Sequence, residues 1–185
     1  MVFGYFGFLD LDLDLDFKIQ NQIQNPKFFG FRCLGGYFNQ TDLNTFFNLN
    51  SLGKAPIINV VYVDGGKQNT NDSDSAGENY LDIEIISSVV PKATITIYFA
   101  PNTNQAFYDV LLTAIQKNDI VTCSWTSIEY NNPIYYLQIF QTLFSKYSNV
   151  PVFVASGDYG SYSASYSSDG GAGFPASCPN AIGKK

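Results

Sequence analysis

Two carboxylates, Glu78 and Asp82, lie four residues apart in the segment Gly-Glu-Asn-Tyr-Leu-Asp at residues 77–82. If this segment is helical, side chains at that spacing project from one helix face, and their titrations can couple. One proton of such a pair is then held to a higher pH than by an isolated Glu. The pair is therefore a candidate for acid–base chemistry.

A structural role for Glu78 is the alternative. Ser75 precedes Glu78 by three residues, which is the spacing of a capping box with Ser75 at the N-cap. Asp82 has no such role, because like charges four residues apart cost an isolated helix roughly 0.2–0.5 kcal/mol. The helix also has a predicted buried face without it, formed by its apolar residues Leu81, Ile85, Ile86, Val89 and Val90.

Composition restricts the chemistry. The 185 residues suffice for one domain with a sizeable core, and the net charge of −6 argues against a nucleic-acid partner. Histidine is absent, which excludes Ser-His-Asp and Cys-His mechanisms and most zinc sites. If the chain is an enzyme, carboxylates must transfer the protons.

Cysteine spacing and hydropathy add further exclusions. Cys33, Cys123 and Cys178 are far apart without a Cys-x-x-Cys motif, so buried free thiols are expected. No apolar run approaches the ~20 residues that span a bilayer, so no membrane partner is expected. The first residues lead into a Leu/Asp repeat at 9–16 that no secretory signal would contain, so no targeting signal is visible.

The chain divides at about residue 26. Residues 1–26, with Leu/Asp alternation followed by a Gln/Asn-rich run, are interpreted as a low-complexity extension, and residues 27–185 as the folded domain. Strands are predicted at 28–33, 57–63, 94–99, 120–125 and 150–155. Helices are predicted at 41–50, 75–90, 104–117 and 133–147, with Thr41 and Asn104 as N-caps and Pro133 as a first helical residue. A surface loop is expected from Tyr159 to Gly173.

Alternation of strands and helices favours an α/β fold with a mostly parallel sheet and helices on both faces. Ligands of such sheets bind at the carboxyl ends of the strands. Two further motifs follow predicted strands, Cys123-Ser124-Trp125 and Ser156-Gly157-Asp158-Tyr159-Gly160. Alone, the second is an ordinary turn sequence.

Together, and in this order, these segments resemble the sedolisin family of serine-carboxyl peptidases, which are subtilisin-like in fold. The resemblance covers roughly residues 35–177. It rests on seven stretches of sequence: Leu34-Gly35-Gly36-Tyr37 with Asp42-Leu43, Val63-Asp64-Gly65-Gly66, Gly77-Glu78 through Glu84, Ile97 through Thr103, Cys123-Ser124-Trp125, Ala155-Ser156-Gly157-Asp158 and Phe174-Pro175-Ala176-Ser177.

The resemblance implies an acid endopeptidase that hydrolyses polypeptides with Ser, Glu and Asp. Glu78 would be the general base for a serine nucleophile, Asp82 would orient it, and Asp158 would be the protonated donor of the oxyanion hole. Trp125 would support the carboxylates, while the strand of Ser124, Trp125 and Thr126 would border the substrate cleft. Asp158 and Trp125 are thus expected near the pair, whose carboxylates should lie within about 6 Å of each other. Family members are typically secreted or lysosomal.

The chain also departs from the family pattern. The family's Gly-Thr-Ser motif, which bears the nucleophile, is absent, so the sequence is interpreted as a partial domain whose C-terminal part is missing. The family's calcium site would lie in that part, and no cofactor is expected here. Cys33 stands where the family has a Glu that bonds the carboxylates, and Thr126 where it has a Gly. A propeptide is not seen either.

We therefore expect no peptidase activity from the chain alone. Its expected partners are a polypeptide substrate or a complementing C-terminal chain. The alternative is a non-catalytic binding or assembly protein derived from this fold. A nucleotide-binding domain is disfavoured because Gly-x-Gly-x-x-Gly and Walker sequences are absent.

Overall fold

The computed structural model describes residues 27–32, 35–160 and 171–184. The described residues form two compact units, one within Asn25–Ser124 and one within Trp125–Lys185. The low-complexity extension at 1–26, Cys33 and most of the predicted loop from Tyr159 to Gly173 lie outside the described residues.

The first unit is built on four parallel strands in the order β2-β3-β1-β4. Its strands are β1 (Lys27–Arg32), β2 (Ile58–Tyr62), β3 (Thr94–Phe99) and β4 (Ile120–Cys123). Its helices are α1 (Gln40–Leu49), α2 (Ser73–Val89) and α3 (Asn104–Lys117). Each parallel connection needs a crossover, and helices α1, α2 and α3 lie in the three connections between these strands.

The central strands of this unit are apolar because they are buried in its core. Strand β4 is buried at all four positions and β3 at all but its first, as expected of strands covered on both faces. Strand β2, which pairs with β3 alone in this unit, keeps Tyr62 52% exposed. The principal core cluster contains buried side chains from two helices and from strands β2 and β3: Leu43, Phe47, Ile58, Ile83, Ile86, Ile95, Ile97 and Phe99.

The second unit is smaller. It contains β5 (Ser127–Ile128), a 3-10 turn (Glu129–Asn131), α4 (Ile134–Lys146), β6 (Val152–Ala155), β7 (Gly173–Phe174) and β8 (Ile182–Lys184). Strands β6 and β8 pair in parallel, and β5 and β7 pair antiparallel. Its core is aromatic, because the Phe174 ring contacts the rings of Tyr136 and Phe140 from α4 at centroid distances of 5.7 and 5.0 Å.

The predicted α/β class and the mostly parallel sheet are confirmed, and every predicted helix and strand exists. Strand 94–99 and helix 104–117 have the predicted ends, and the ends of the other elements are shifted. Predicted strand 120–125 ends earlier, at Cys123. The predicted helix caps are wrong: Asn39, rather than Thr41, caps α1, Thr103 caps α3, and Pro133 is the N-cap residue of α4.

The predicted buried face of α2 is also partly wrong. Ile86 is buried, whereas Ile85 and Val89 are 36% and 37% exposed. The helix instead buries a face that includes small and polar side chains: Ser75, Ala76, Asn79, Ile83, Ile86 and Ser87. Among the described residues, no helix combines the length and apolar character needed to cross a bilayer.

Candidate active site

Helix α2 carries the acid pair, and its start differs from the prediction. The helix begins at Ser73, and the Asp72 side chain is the N-cap, accepting a hydrogen bond from the Ser75 backbone N–H at 3.0 Å. The capping box predicted between Ser75 and Glu78 is therefore wrong, because the N–H that Glu78 would cap is bonded to Asp72. Glu78 lies in the second turn of the helix, so capping does not explain its presence there.

The loop that contains Gly35 and Gly36, called the glycine loop below, is bonded to the start of α2. The second carboxylate oxygen of Asp72 accepts the backbone N–H of Gly36 at 3.2 Å, so one side chain joins the helix to this loop. Gly36 has φ +70°, and a Cβ at this position would lie 2.6 Å from the backbone nitrogen of Ala76. Only glycine permits both this backbone conformation and this approach.

The acid pair lies on successive turns of α2, and both side chains are half-buried. Ser124, the residue that follows β4, donates its hydroxyl to Asp82, with its Oγ 2.9 Å from Oδ1 and 2.9 Å from Oδ2. Sequence reasoning gave Ser124 only a supporting position at the cleft. The structure brings Asp82 and Ser124 into direct contact, while the distance between the Glu78 and Asp82 carboxylates stays a prediction.

Another face of α2 holds a second acidic group that sequence analysis did not identify. The Tyr80 hydroxyl donates to Asp42 Oδ2 of α1 at 2.6 Å. Burial, and then this hydrogen bond, raise the pKa of Tyr80 above its usual range. Burial, and then the charge of Asp42, raise the pKa of Glu84, one turn beyond Tyr80. Asp42 and Glu84 were quoted as matching the family pattern, but nothing local in the sequence links them.

Asp158 belongs to the second unit. Strand β6 ends at Ala155, and Gly157, with φ +105°, makes the turn that leads to Asp158. Burial raises the pKa of the Asp158 carboxyl. This is the direction that a neutral hydrogen-bond donor requires, although the role itself and the proximity to Glu78 stay predictions.

Thr126, also in the second unit, directly precedes β5. Its hydroxyl donates to the Phe174 carbonyl at 3.2 Å, and a Cβ on Gly173 would lie 2.7 Å from this hydroxyl oxygen. Trp125 is half-buried beside it in sequence. The Thr126 side chain is thus hydrogen-bonded within the second unit, and its expected crowding of a bound substrate stays a prediction.

A resident metal has no candidate site in the part of the chain that the structure describes. Within residues 35–160 and 171–184, no three Cys, Asp or Glu side chains gather closely enough to hold a metal ion. Cys123 and Cys178 are buried free thiols, as predicted for these two residues.

Comparison with known proteins adds the context. No family model matches the chain. It is 41% identical over 99 residues to kumamolisin from Bacillus sp. (strain MN-32), a match that covers 50% of this chain and 18% of kumamolisin. It shares its fold with Pseudomonas sedolisin, a serine-carboxyl proteinase complexed with two molecules of pseudo-iodotyrostatin. That structural match has a TM-score of 0.65 and 22% identity, and it covers 88% of this chain and 49% of the other.

The chain spans less than half the length of both relatives. The sequence match to kumamolisin and the fold shared with Pseudomonas sedolisin nevertheless agree with the motifs that first indicated the family. These findings support membership of the sedolisin family of serine-carboxyl peptidases.

Proposed function

We propose that this chain carries the carboxylate part of an acid endopeptidase active site of the serine-carboxyl class. The observation that supports the proposal best is the placement of Glu78 and Asp82 on successive turns of α2, with Asp82 bonded to the Ser124 hydroxyl and the helix capped by Asp72. A carboxylate base works best near its own pKa, so the reaction belongs at acid pH.

In the proposed reaction, Glu78 takes the proton of a serine hydroxyl as the serine oxygen attacks the peptide carbonyl. Neutral Asp158 donates a hydrogen bond to the oxyanion that develops, and the raised pKa of Asp158 supports this role. Glu78 then passes the proton to the leaving amine, and water releases the acyl group from the serine. Asp82 orients Glu78 throughout.

We expect the nucleophilic serine to come from outside these residues, because they contain no Gly-Thr-Ser sequence. A further segment of the same polypeptide and a separate chain would serve equally. The 185 residues alone are then expected to show no peptidase turnover, since a base and an oxyanion donor without a nucleophile leave the covalent route closed.

A mixing experiment tests the proposal. The purified chain is incubated with a quenched fluorescent peptide library between about pH 3 and 5, the range of ordinary carboxyl pKa values. It is assayed alone and with a fragment carrying the family's Gly-Thr-Ser segment. We expect turnover only in the mixture, and a loss of about 10²-fold or more in Glu78→Gln.

Glu84→Gln is the matched control, because it removes a carboxylate from the same helix without touching the acid pair. Activity lost equally in both variants would contradict the assignment of Glu78. Turnover by the isolated chain that disappears in Glu78→Gln would show that the chain has its own nucleophile.

A non-catalytic binding protein is the second candidate function. It is favoured by Thr126, whose side chain stands where the family has glycine, beside the strand expected to pair with a substrate backbone. Peptide binding without turnover, in a mixture where the fragment is shown to associate, would support this function over the peptidase.

A further inference from the structure

The contact between Ser124 and Asp82 joins two elements that are far apart in the sequence. The two residues are separated by 42 positions, and the hydroxyl at the carboxyl end of β4 contacts the third turn of α2. Ser124 Oγ lies at the same distance, 2.9 Å, from both carboxylate oxygens of Asp82. A hydroxyl placed symmetrically on both oxygens fixes the orientation of the carboxylate as well as its position.

The chemistry of this contact favours one protonation state. The serine hydroxyl can donate its one hydrogen to ionised Asp82 or accept one from protonated Asp82, but a hydrogen bond to an ionised acceptor is about twice as strong as one between neutral groups. A donor that engages the charged form stabilises that form. Glu78 lies one turn before Asp82 on the same helix, and the residue after β4 contributes the neutral Ser124 hydroxyl to Asp82.

We propose that Ser124 is a positioning residue that holds Asp82 as the carboxylate, so that Glu78 is the member of the pair that exchanges protons. The proposal rests on the proposed function, because it assigns roles within the same acid pair. It differs from that function in that the protonation of Asp82 can be measured without any peptidase activity.

This assignment removes an ambiguity in the acid pair. Two like carboxylates compete for one proton, and without further contacts either could receive it. With Asp82 held ionised, the proton leaving the attacking serine moves to Glu78, forming one O–H bond there as the serine O–H bond breaks. The Asp82 anion then stabilises the protonated Glu78, and no further proton acceptor is required.

Carboxyl carbon NMR titration of the chain tests the proposal directly. In Ser124→Ala we expect the Asp82 carboxyl to protonate at a pH higher by about one unit than in the wild type, as loss of a hydrogen bond to a charged group predicts. Ser124→Thr, which keeps the hydroxyl, should restore the wild-type midpoint. Asp82→Asn identifies the resonance.

Ser88→Ala is the matched control, because the Ser88 hydroxyl donates to the backbone carbonyl of Glu84 on the same helix and should leave the Asp82 titration unchanged. An unchanged Asp82 midpoint in Ser124→Ala, or equal shifts in the Ala and Thr variants, would overturn the proposal. Far-UV circular dichroism of each variant confirms that it folds. A chain inactive in the mixing experiment but showing the expected titration would contradict the peptidase function and leave the role of Ser124 in place.

Discussion

At the scale of single residues, burial raises the pKa of the Asp158 carboxyl, which is the direction that its proposed role as a hydrogen-bond donor requires. Desolvation of the charged form is the cause of this shift. A neutral carboxylic acid is the only form of aspartate that can give a hydrogen bond. The raised pKa therefore supports the role proposed for Asp158.

We predict that the Asp158 carboxyl titrates above the ordinary aspartate value in the isolated chain, because burial disfavours its charged form. Carboxyl carbon NMR measures the midpoint, and Asp158→Asn identifies the signal. A midpoint at or below the ordinary value would contradict the oxyanion role. In the complemented peptidase, Asp158→Ala should lower kcat by about 10²-fold or more, as the loss of an oxyanion donor does.

At the scale of elements, the attachment of the glycine loop to α2 determines where the acid pair stands. Asp72 accepts hydrogen bonds from the loop and from the helix, and Asn79 of the helix donates to the Tyr37 carbonyl at 3.3 Å. The backbones of the loop and helix approach closely at Gly36. Any displacement of this loop would move the turn that precedes Glu78.

We predict that Gly36→Ala lowers the free energy of unfolding by about 2–4 kcal/mol, because it combines left-handed backbone strain with a clash against backbone atoms of α2. Gly53→Ala is the matched control. Gly53 has a similar φ of +85° but nothing within 4 Å of its Cβ position, so only the strain of about 1–2 kcal/mol applies. Urea unfolding measures both, and equal losses would show that the loop contact contributes nothing.

The same helix shows what the sequence could and could not predict. The segment from Asn69 to Ser75 contains several side chains able to cap a helix. Asp72 is the one that does so, and it also bonds Gly36, which lies 36 positions away. Local capping preferences cannot distinguish these candidates, because the deciding partner belongs to another element.

In the candidate site, too, the sequence predicted residues and elements but not the contacts between distant elements. The order and spacing of motifs predicted candidate catalytic residues, and two of them, Glu78 and Asp82, do share one helix. The bond from Ser124 to Asp82 could not be predicted, because it depends on how β4 and α2 meet in space. Patterns along the chain predict elements and residue types, whereas contacts between distant elements require the fold.

At the scale of the whole molecule, the pKa values of three described carboxyl groups are shifted in the same direction. The pKa values of Asp64, Glu84 and Asp158 are all raised, in each case chiefly by desolvation. Asp64 is raised further by Asp109, and Glu84 by Asp42. A group whose folded pKa is above its unfolded value contributes stability below the unfolded pKa and loses it as the pH rises through the folded pKa.

We therefore predict that these three groups make the chain less stable as the pH rises from the ordinary carboxyl range, about pH 4, toward neutrality. Urea unfolding midpoints at a series of pH values measure the trend. Glu84→Gln, which cannot ionise, should flatten it in proportion to the contribution of Glu84. A wild-type midpoint that increases steadily from about pH 4 to 7 would contradict the sign of this prediction.

Burial of the thiols has a practical consequence for studying how the chain opens. Each compact unit contains one described cysteine, Cys123 in the first and Cys178 in the second, with 0% and 6% of their surfaces exposed. Burial, and then the charge of Glu129, raise the pKa of Cys178 to about 12, so its reactive thiolate is scarce in the folded state. Once Cys33 is replaced by serine, the alkylation rates of the remaining two thiols can be measured separately by peptide mass. Each rate then reports the local unfolding of the unit that contains the thiol.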